Sequence, residues 1–231
     1  MIFCCYIKAL SYSVSSERII NEFVKAIHPD FECLKKAQNN LIEASKICEF
    51  IANMGINLLP KNLKNTSESI PELNMNIMSA IAKLFYAEAQ LVAFERGCLD
   101  PIKKLSYSAR SSLLKDISSL LKTSWELIEK GMGDLKHNAK SHMKEYYFNF
   151  IKGLTIFCEG LSWFNFGLSF QEKQPNNEDN NESRKLRLGC GKKCIEIMKE
   201  FEDKYFKKLD KHKEYFEKHM KLMFEQLQSF F

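Results

Sequence analysis

The sequence predicts an all-α protein, an elongated array of about six antiparallel helices, and three observations carry that prediction. Apolar residues recur at three- and four-residue spacing along nearly all of the 231 residues, and no strand-like alternation interrupts them. The 5 prolines all fall between periodic runs rather than inside them. Several runs are apolar on two faces, as helices stacked between neighbours must be.

Residues 2 to 26 carry Tyr6, Leu10, Val14, Ile20, Phe23 and Val24 at helical spacing. They predict a first helix, broken near Ser15 and ended by His28-Pro29-Asp30, because proline biases its predecessor away from the α region. From Phe31, the positions Leu34, Ala37, Leu41, Ala44, Cys48, Ile51 and Gly55 step by three and four and predict a second helix. Leu59-Pro60 stops it, and the polar stretch up to Ile70 reads as a loop. Pro71 at a first helical position, with Glu72 behind it, opens a third helix that closes at Gly97. That helix bears two apolar stripes, Ile77, Ile81, Leu84, Ala87, Leu91 and Phe94 beside Met78, Ala82, Phe85, Ala89 and Val92.

Asp100-Pro101 predicts the start of a fourth helix whose seam runs through Ile102, Leu105, Ala109, Leu113, Ile117, Leu120, Leu121 and Leu127 to a stop at Gly131 and Gly133. The fifth, residues 145 to 172, is the densest apolar run of the chain. Phe150, Phe157 and Phe164 recur every seven residues, with Gly153, Gly160 and Gly167 three positions behind them, so large and tiny side chains share one face. The other side (Tyr147, Ile151, Leu154, Cys158, Leu161, Leu168) is apolar too, so protein or lipid must cover it. Protein is favoured. Lys152 and Glu159 interrupt the run, and the uncharged stretch after Glu159 is about half of the roughly 20 residues a membrane span needs.

Residues 174 to 183, QPNNEDNNES, contain no apolar residue and read as a flexible insertion between the last two helices. A last, long helix is predicted from Arg184 to Ser229, with Phe201, Tyr205, Leu209, His212, Phe216, Met220, Met223 and Leu227 as its stripe. Its acids precede bases by four residues, as in Glu200 with Lys204 and Glu214 with Lys218, the spacing of a solvated helix face. Residues 1 to 231 thus read as a single helical domain.

Composition bounds function more than it assigns it. A charge of +5 from 34 basic and 29 acidic side chains is mixed in sign, which does not call for nucleic acid. The 8 cysteines lack paired spacing and predict buried, reduced thiols in a cytosolic protein, Cys4 and Cys5 included. MIFCCYIKALSY lacks the basic start and cleavage site of a signal peptide.

Chemistry is not written in motifs. No phosphate-binding glycine loop occurs, since Gly189-Cys190-Gly191-Lys192 lies in a helical pattern with no strand before it. His137 and His142, His212 and His219, and Cys190 with Cys194 lack the spacing or number of metal ligands. No cysteine has a motif partner for nucleophilic catalysis. The residues therefore point to a non-enzymatic binding scaffold with no cofactor, no metal and no catalytic residue.

Several passages together resemble the BRO domain family, the boomerang-shaped helical domain of ALIX, Bro-one and rhophilin type proteins. In 31 to 51, Leu34, Lys35, Ala37, Ala44 and Ile51 match the family's "G-L-K-x-A … A-x-x-x-F-x-x-I" helix. Ala89-Gln90 within 77 to 96 is similar to the second Ala-Gln of its "L-x-x-x-M-x-A-Q-A-Q-E" helix. Gly160-Leu161-Ser162 resembles its aromatic "A-x-Y-H-G-L-A" helix, and Arg187-Leu188 falls at its "I-A-R-L". Order and spacing agree over roughly residues 5 to 205. There are departures: Glu159 stands where the family often has His, and the family's N-terminal third has no counterpart before Met1, which implies a truncated or divergent version.

The resemblance implies a tetratricopeptide-like solenoid core and a cytoplasmic adaptor peripheral to endosomal membranes. It would act in ESCRT and vesicle trafficking by binding the amphipathic C-terminal helix of an ESCRT-III subunit, the charged multivesicular body protein. Carried onto this chain, the aromatic of the groove falls at Ala93 or Phe94. The aliphatic pair of the next helix falls at Ser106 and Arg110, or one residue earlier at Leu105 and Ala109. The second register gives a partner-binding seam of Phe94, Ile102, Leu105, Ala109 and Leu113, which reads equally as plain core. The alternative is a generic tetratricopeptide-like repeat module for protein–protein interaction. Loss of the N-terminal third would leave an apolar face and favour self-association.

Overall fold

The computed structural model describes residues 2–26, 30–55, 57, 70–100, 104–172 and 181–206. Among them there are seven α-helices and no strand: α1 (Ile2–Lys25), α2 (Phe31–Phe50), α3 (Met75–Leu99), α4 (Tyr107–Gly133), α5 (His137–Met143), α6 (Asn149–Glu172) and α7 (Asn181–Lys204). The long helices pack in chain order, α1 on α2, α2 on α3, α3 on α4, α4 on α6 and α6 on α7. Successive members run antiparallel. At one end Phe23 of α1 meets Phe31 of α2, with ring centroids 5.5 Å apart, and the Tyr107 N–H donates to Glu172 over 3.0 Å. At the other end Asn74, ahead of α3, meets Gly131 near the end of α4.

α1 runs unbroken through Ser15, where a break was predicted. Ser16 supplies the reason: its hydroxyl lies 2.9 Å from the carbonyls of both Tyr12 and Ala37, so the helix keeps its course and bonds to α2. α2 begins at an Asp30 cap whose carboxylate accepts the Glu32 N–H at 2.9 Å. It buries the predicted column Leu34, Ala37, Leu41, Ala44 and Cys48, then continues into a π-helical turn, Ile51–Gly55.

α3 starts at Met75, later than the predicted Pro71, which opens only a short 3₁₀ turn. Asn74 decides this. Its side-chain oxygen accepts the N–H groups of Asn76 (3.0 Å) and Ile77 (3.2 Å), while its amide donates to the Gly131 carbonyl (3.4 Å) and Asp134 (3.3 Å). One side chain thereby caps α3 and ties it to the end of α4. Gly131 leaves no room for a Cβ there, which would stand 2.6 Å from Ile77 Cγ1. α3 is buried on both predicted stripes except at Leu91 and Phe94, which are half-buried, and, of the described helices, is the one long and apolar enough to cross a membrane. It runs past Gly97 to Leu99, so that glycine packs inside the helix instead of ending it.

The fourth helix starts at Tyr107, behind a Ser106 cap, and not at Asp100-Pro101. Its buried column is Arg110, Leu114, Ile117, Leu121 and Ile128; Ile117 and Leu121 belong to the predicted seam, whose Leu113, Leu120 and Leu127 flank the column half-buried. The sequence holds two adjacent apolar columns, and the helices on either side choose between them. The first residues of the predicted fifth helix, 145 to 148, lie in a π-helical turn, Lys144–Phe148, and a short α5 that was not predicted precedes it. α7 begins at Asn181, so residues 181–183 of the predicted insertion are helical; 174–180 and the predicted helix beyond 206 lie outside the described residues.

α6 is the rib between α4 and α7. Its Phe/Gly face seats α7, with the Phe157 and Phe201 rings 5.4 Å apart and Met198 lying over Gly160. Its other flank meets α4 through hydroxyls: Ser111 and Ser162 each donate to the other's carbonyl at 2.9 Å, and Ser118 donates to the Thr155 carbonyl at 3.1 Å. Ser124 joins α4 to α3 in the same way, donating to the Ala80 carbonyl at 2.7 Å.

Candidate functional site

The predicted partner-binding residues gather at the elbow between α3 and α4. Gly97, in the last turns of α3, presents its carbonyl to the Leu105 N–H at 2.7 Å, and the Leu105 side chain lies over the Gly97 α-carbon where a Cβ would collide with it. This contact needs glycine. The next turn is fixed by polar groups. Ser106 Oγ accepts the Ala109 N–H at 3.2 Å, the Arg110 Nε donates to the Leu105 carbonyl at 2.9 Å, and the Arg110 guanidinium stands 4.9 Å from the Tyr107 ring centre. Glu172, at the end of α6, accepts the Tyr107 N–H, so all three helices meet at this corner.

Within that frame Phe94 and Leu113 are half-buried and pack against the core, Leu105 is half-buried, and Ala109 is exposed. Ile102 lies outside the described residues. Of the two registers read from the sequence, Arg110 turns inward, 9% exposed, while Ser106 serves as the helix cap. Leu99, 56% exposed, extends the accessible apolar surface from the end of α3. The arrangement is a polar-fastened corner with an apolar rim.

The fully buried thiols have the chemistry of packing groups. Burial pushes Cys48, Cys158 and Cys194 up to about 12, which leaves them protonated and unreactive at neutral pH. Cys98 beside the corner is also raised by burial, against the opposing pull of Arg110. Cys4 is exposed on α1, contrary to the expectation of a buried thiol, because the N-terminal turns of α1 bury a different face. All eight cysteines are free, and the described residues hold no group of three or more His, Cys, Asp or Glu that could ligate a metal ion.

Two polar features were not legible as sites in the sequence. Glu88, half-buried on α3, has its carboxyl pushed up to about 7 by burial, with repulsion from Glu17 of α1 adding to it. Lys152 of α6 places its ammonium 4.4 Å from the Trp125 ring centre and 5.4 Å from that of Phe148, beside a shallow cleft shared with Asn149, Asp203, Lys204 and Tyr205. A lysine in an aromatic run was the available signal for the second. Nothing local marks Glu88, whose partner lies 71 residues away.

No protein-family model matches the chain, and neither does any curated protein or solved structure. The fold and the corner define an all-α protein of antiparallel helices with an apolar rim at the α3–α4 elbow.

Proposed function

We propose that the protein is a non-enzymatic docking scaffold of the BRO type, which seats the amphipathic C-terminal helix of an ESCRT-III subunit along Phe94, Ile102, Leu105, Ala109 and Leu113. The observation that carries the reading is the accessibility of Ala109 and, in part, of Leu105 at a corner otherwise locked by hydrogen bonds. A partner helix with apolar residues at i, i+3, i+4 and i+7 would complete that rim by the helix-in-groove mode. On this reading the protein works in the cytoplasm as an adaptor at endosomal membranes.

The test is a titration of a fluorescently labelled ESCRT-III C-terminal helix against the full chain. Saturable binding, abolished by Ala109→Asp and by Leu105→Asp, is expected. Ala109→Asp is the cleaner variant, because the exposed site accepts a charge without disturbing the fold, whereas Leu105 also holds the elbow against Gly97. Absence of saturation, or affinity unchanged in Ala109→Asp, overturns the assignment.

A further inference from the structure

α1 carries a second apolar stripe that no described helix covers. Phe3, Ile7, Leu10 and Val14 are 50, 64, 37 and 63% exposed, on a face adjacent to the buried Ile2, Tyr6 and Ala9 column. Their spacing of four, three and four is the seam of a helix that pairs with another helix. Contiguous exposed apolar surface of this kind marks an interaction site, whereas scattered single residues do not.

Residues 207–231 lie outside the described residues; in the sequence, Phe216, Met220, Met223 and Leu227 repeat the same spacing. Adding 213 to each α1 position gives each of the four, so a single parallel alignment pairs Phe3 with Phe216, Ile7 with Met220, Leu10 with Met223 and Val14 with Leu227. The chain also departs from a suitable place. α7 loses its α-helical course after Lys204, where the Phe206 ring turns back to 6.0 Å from that of Phe201. Tyr205 there shares the cleft with Phe148, and the neighbouring Tyr147 interacts with Tyr6 of α1. The exit of α7 and the start of α1 are thus at the same end of the array, which is what a parallel pairing requires.

Length permits it. The nine residues 207–215 can reach up to about 30 Å when extended, and the stripe from Phe3 to Val14 is about 16 Å long at the helical rise. We propose that the Phe3/Ile7/Leu10/Val14 face of α1 is the dock for the chain's own residues 216–227, held parallel to α1 through the matching stripe. The pairing would cover a surface otherwise open to a second copy, to another protein or to lipid. It is independent of the ESCRT-III reading, which concerns the α3–α4 corner.

Photo-cross-linking of the full chain tests the proposal, with p-benzoylphenylalanine in place of Ile7 in one protein and of Val14 in another. Irradiation is expected to give adducts of monomer mass, mapping near Met220 from position 7 and near Leu227 from position 14. Met220→Asp with Met223→Asp should lower the yield about tenfold, since the pairing would then bury two charges. Lys218→Gln, outside the repeated stripe, should leave it unchanged. Unchanged helical circular dichroism in the double variant shows that the array itself persists. Adducts of dimer mass, adducts elsewhere in the chain, a reversed order of the two mapped sites, an undiminished yield in the double variant, or no adduct at all each overturn the proposal.

Discussion

The two flanks of α6 join it to its neighbours by different physics. Towards α7 the seam is apolar: Phe157 and Phe201 are fully buried against each other, and Gly160 lets Met198 approach its backbone. Towards α4 the seam is fastened by Ser111, Ser118 and Ser162 through hydroxyl-to-carbonyl bonds near 3 Å. Apolar contact has no preferred direction, so the first seam contributes burial free energy and leaves direction to shape alone. Hydrogen bonds are directional and contribute only about 0.5–1.5 kcal/mol each, so the second seam chiefly sets which turn of α4 meets which turn of α6. Stability and register are thereby assigned to opposite sides of one helix. The α3–α4 corner inherits its geometry from the register side, because Tyr107 bonds to Glu172 on the same pair of helices.

The largest effect is expected at the apolar seam. Phe157→Ala should lower unfolding free energy by about 3–5 kcal/mol in denaturant titrations, the range for emptying a buried aromatic site. A loss below 1 kcal/mol would mean that α7 closes over the gap and the seam is not tightly packed. Next, Gly160→Val drives its side chain into Met198, whose sulfur is 2.6 Å from an ideal Cβ at that position, and should cost about 1–3 kcal/mol. Met198→Ala in the same chain should return part of that loss; strictly additive effects would show that the two positions do not touch.

At the polar seam, Ser111→Ala and Ser162→Ala should each cost about 1 kcal/mol, with a double variant that is less than additive because the two hydroxyls are 3.3 Å apart. A cost as large as that of Phe157→Ala would erase the division of labour between the flanks. A third kind of contribution comes from Glu88 of α3, whose carboxyl feels burial first and repulsion from Glu17 of α1 second. The folded pKa of Glu88 is raised above its ordinary value, to about 7, so the native state holds a proton that the unfolded chain has released. Stability therefore falls as pH rises through the window from about 4.5 to 7 and levels above it. Glu88→Gln should flatten that fall in melts taken across the window, and an unchanged slope would assign it to another group.

What could be read from residues follows from how local each cause is. The α2 column, both α3 stripes and the Phe/Gly face of α6 were legible because they are repeats within one helix, and apolar periodicity reports burial directly. The seam of α4 was legible only in part: Ile117 and Leu121 are buried as predicted, but Leu113, Leu120 and Leu127 run beside the buried Leu114 and Ile128, and both columns satisfy the same spacing. The helix start there was misplaced because Asp100-Pro101 and Ser106 are both acceptable starts, and only the anchoring of Leu105 on Gly97 selects the second. At the candidate corner the sequence supplied Phe94, Leu105, Ala109 and Leu113 as members but could not say that Arg110 turns inward while Ala109 faces solvent.

By itself, then, the sequence determined the class: helices, their number to within one, the faces each must bury, and the absence of recognisable catalytic motifs. Tertiary structure alone decided which of two apolar columns faces the core, where hydroxyls cross between helices, and which apolar stripe of α1 stays exposed. The reason is physical. Periodicity is a property of one chain segment, whereas burial choice, directional bonding and exposure depend on what a second segment brings to the same place.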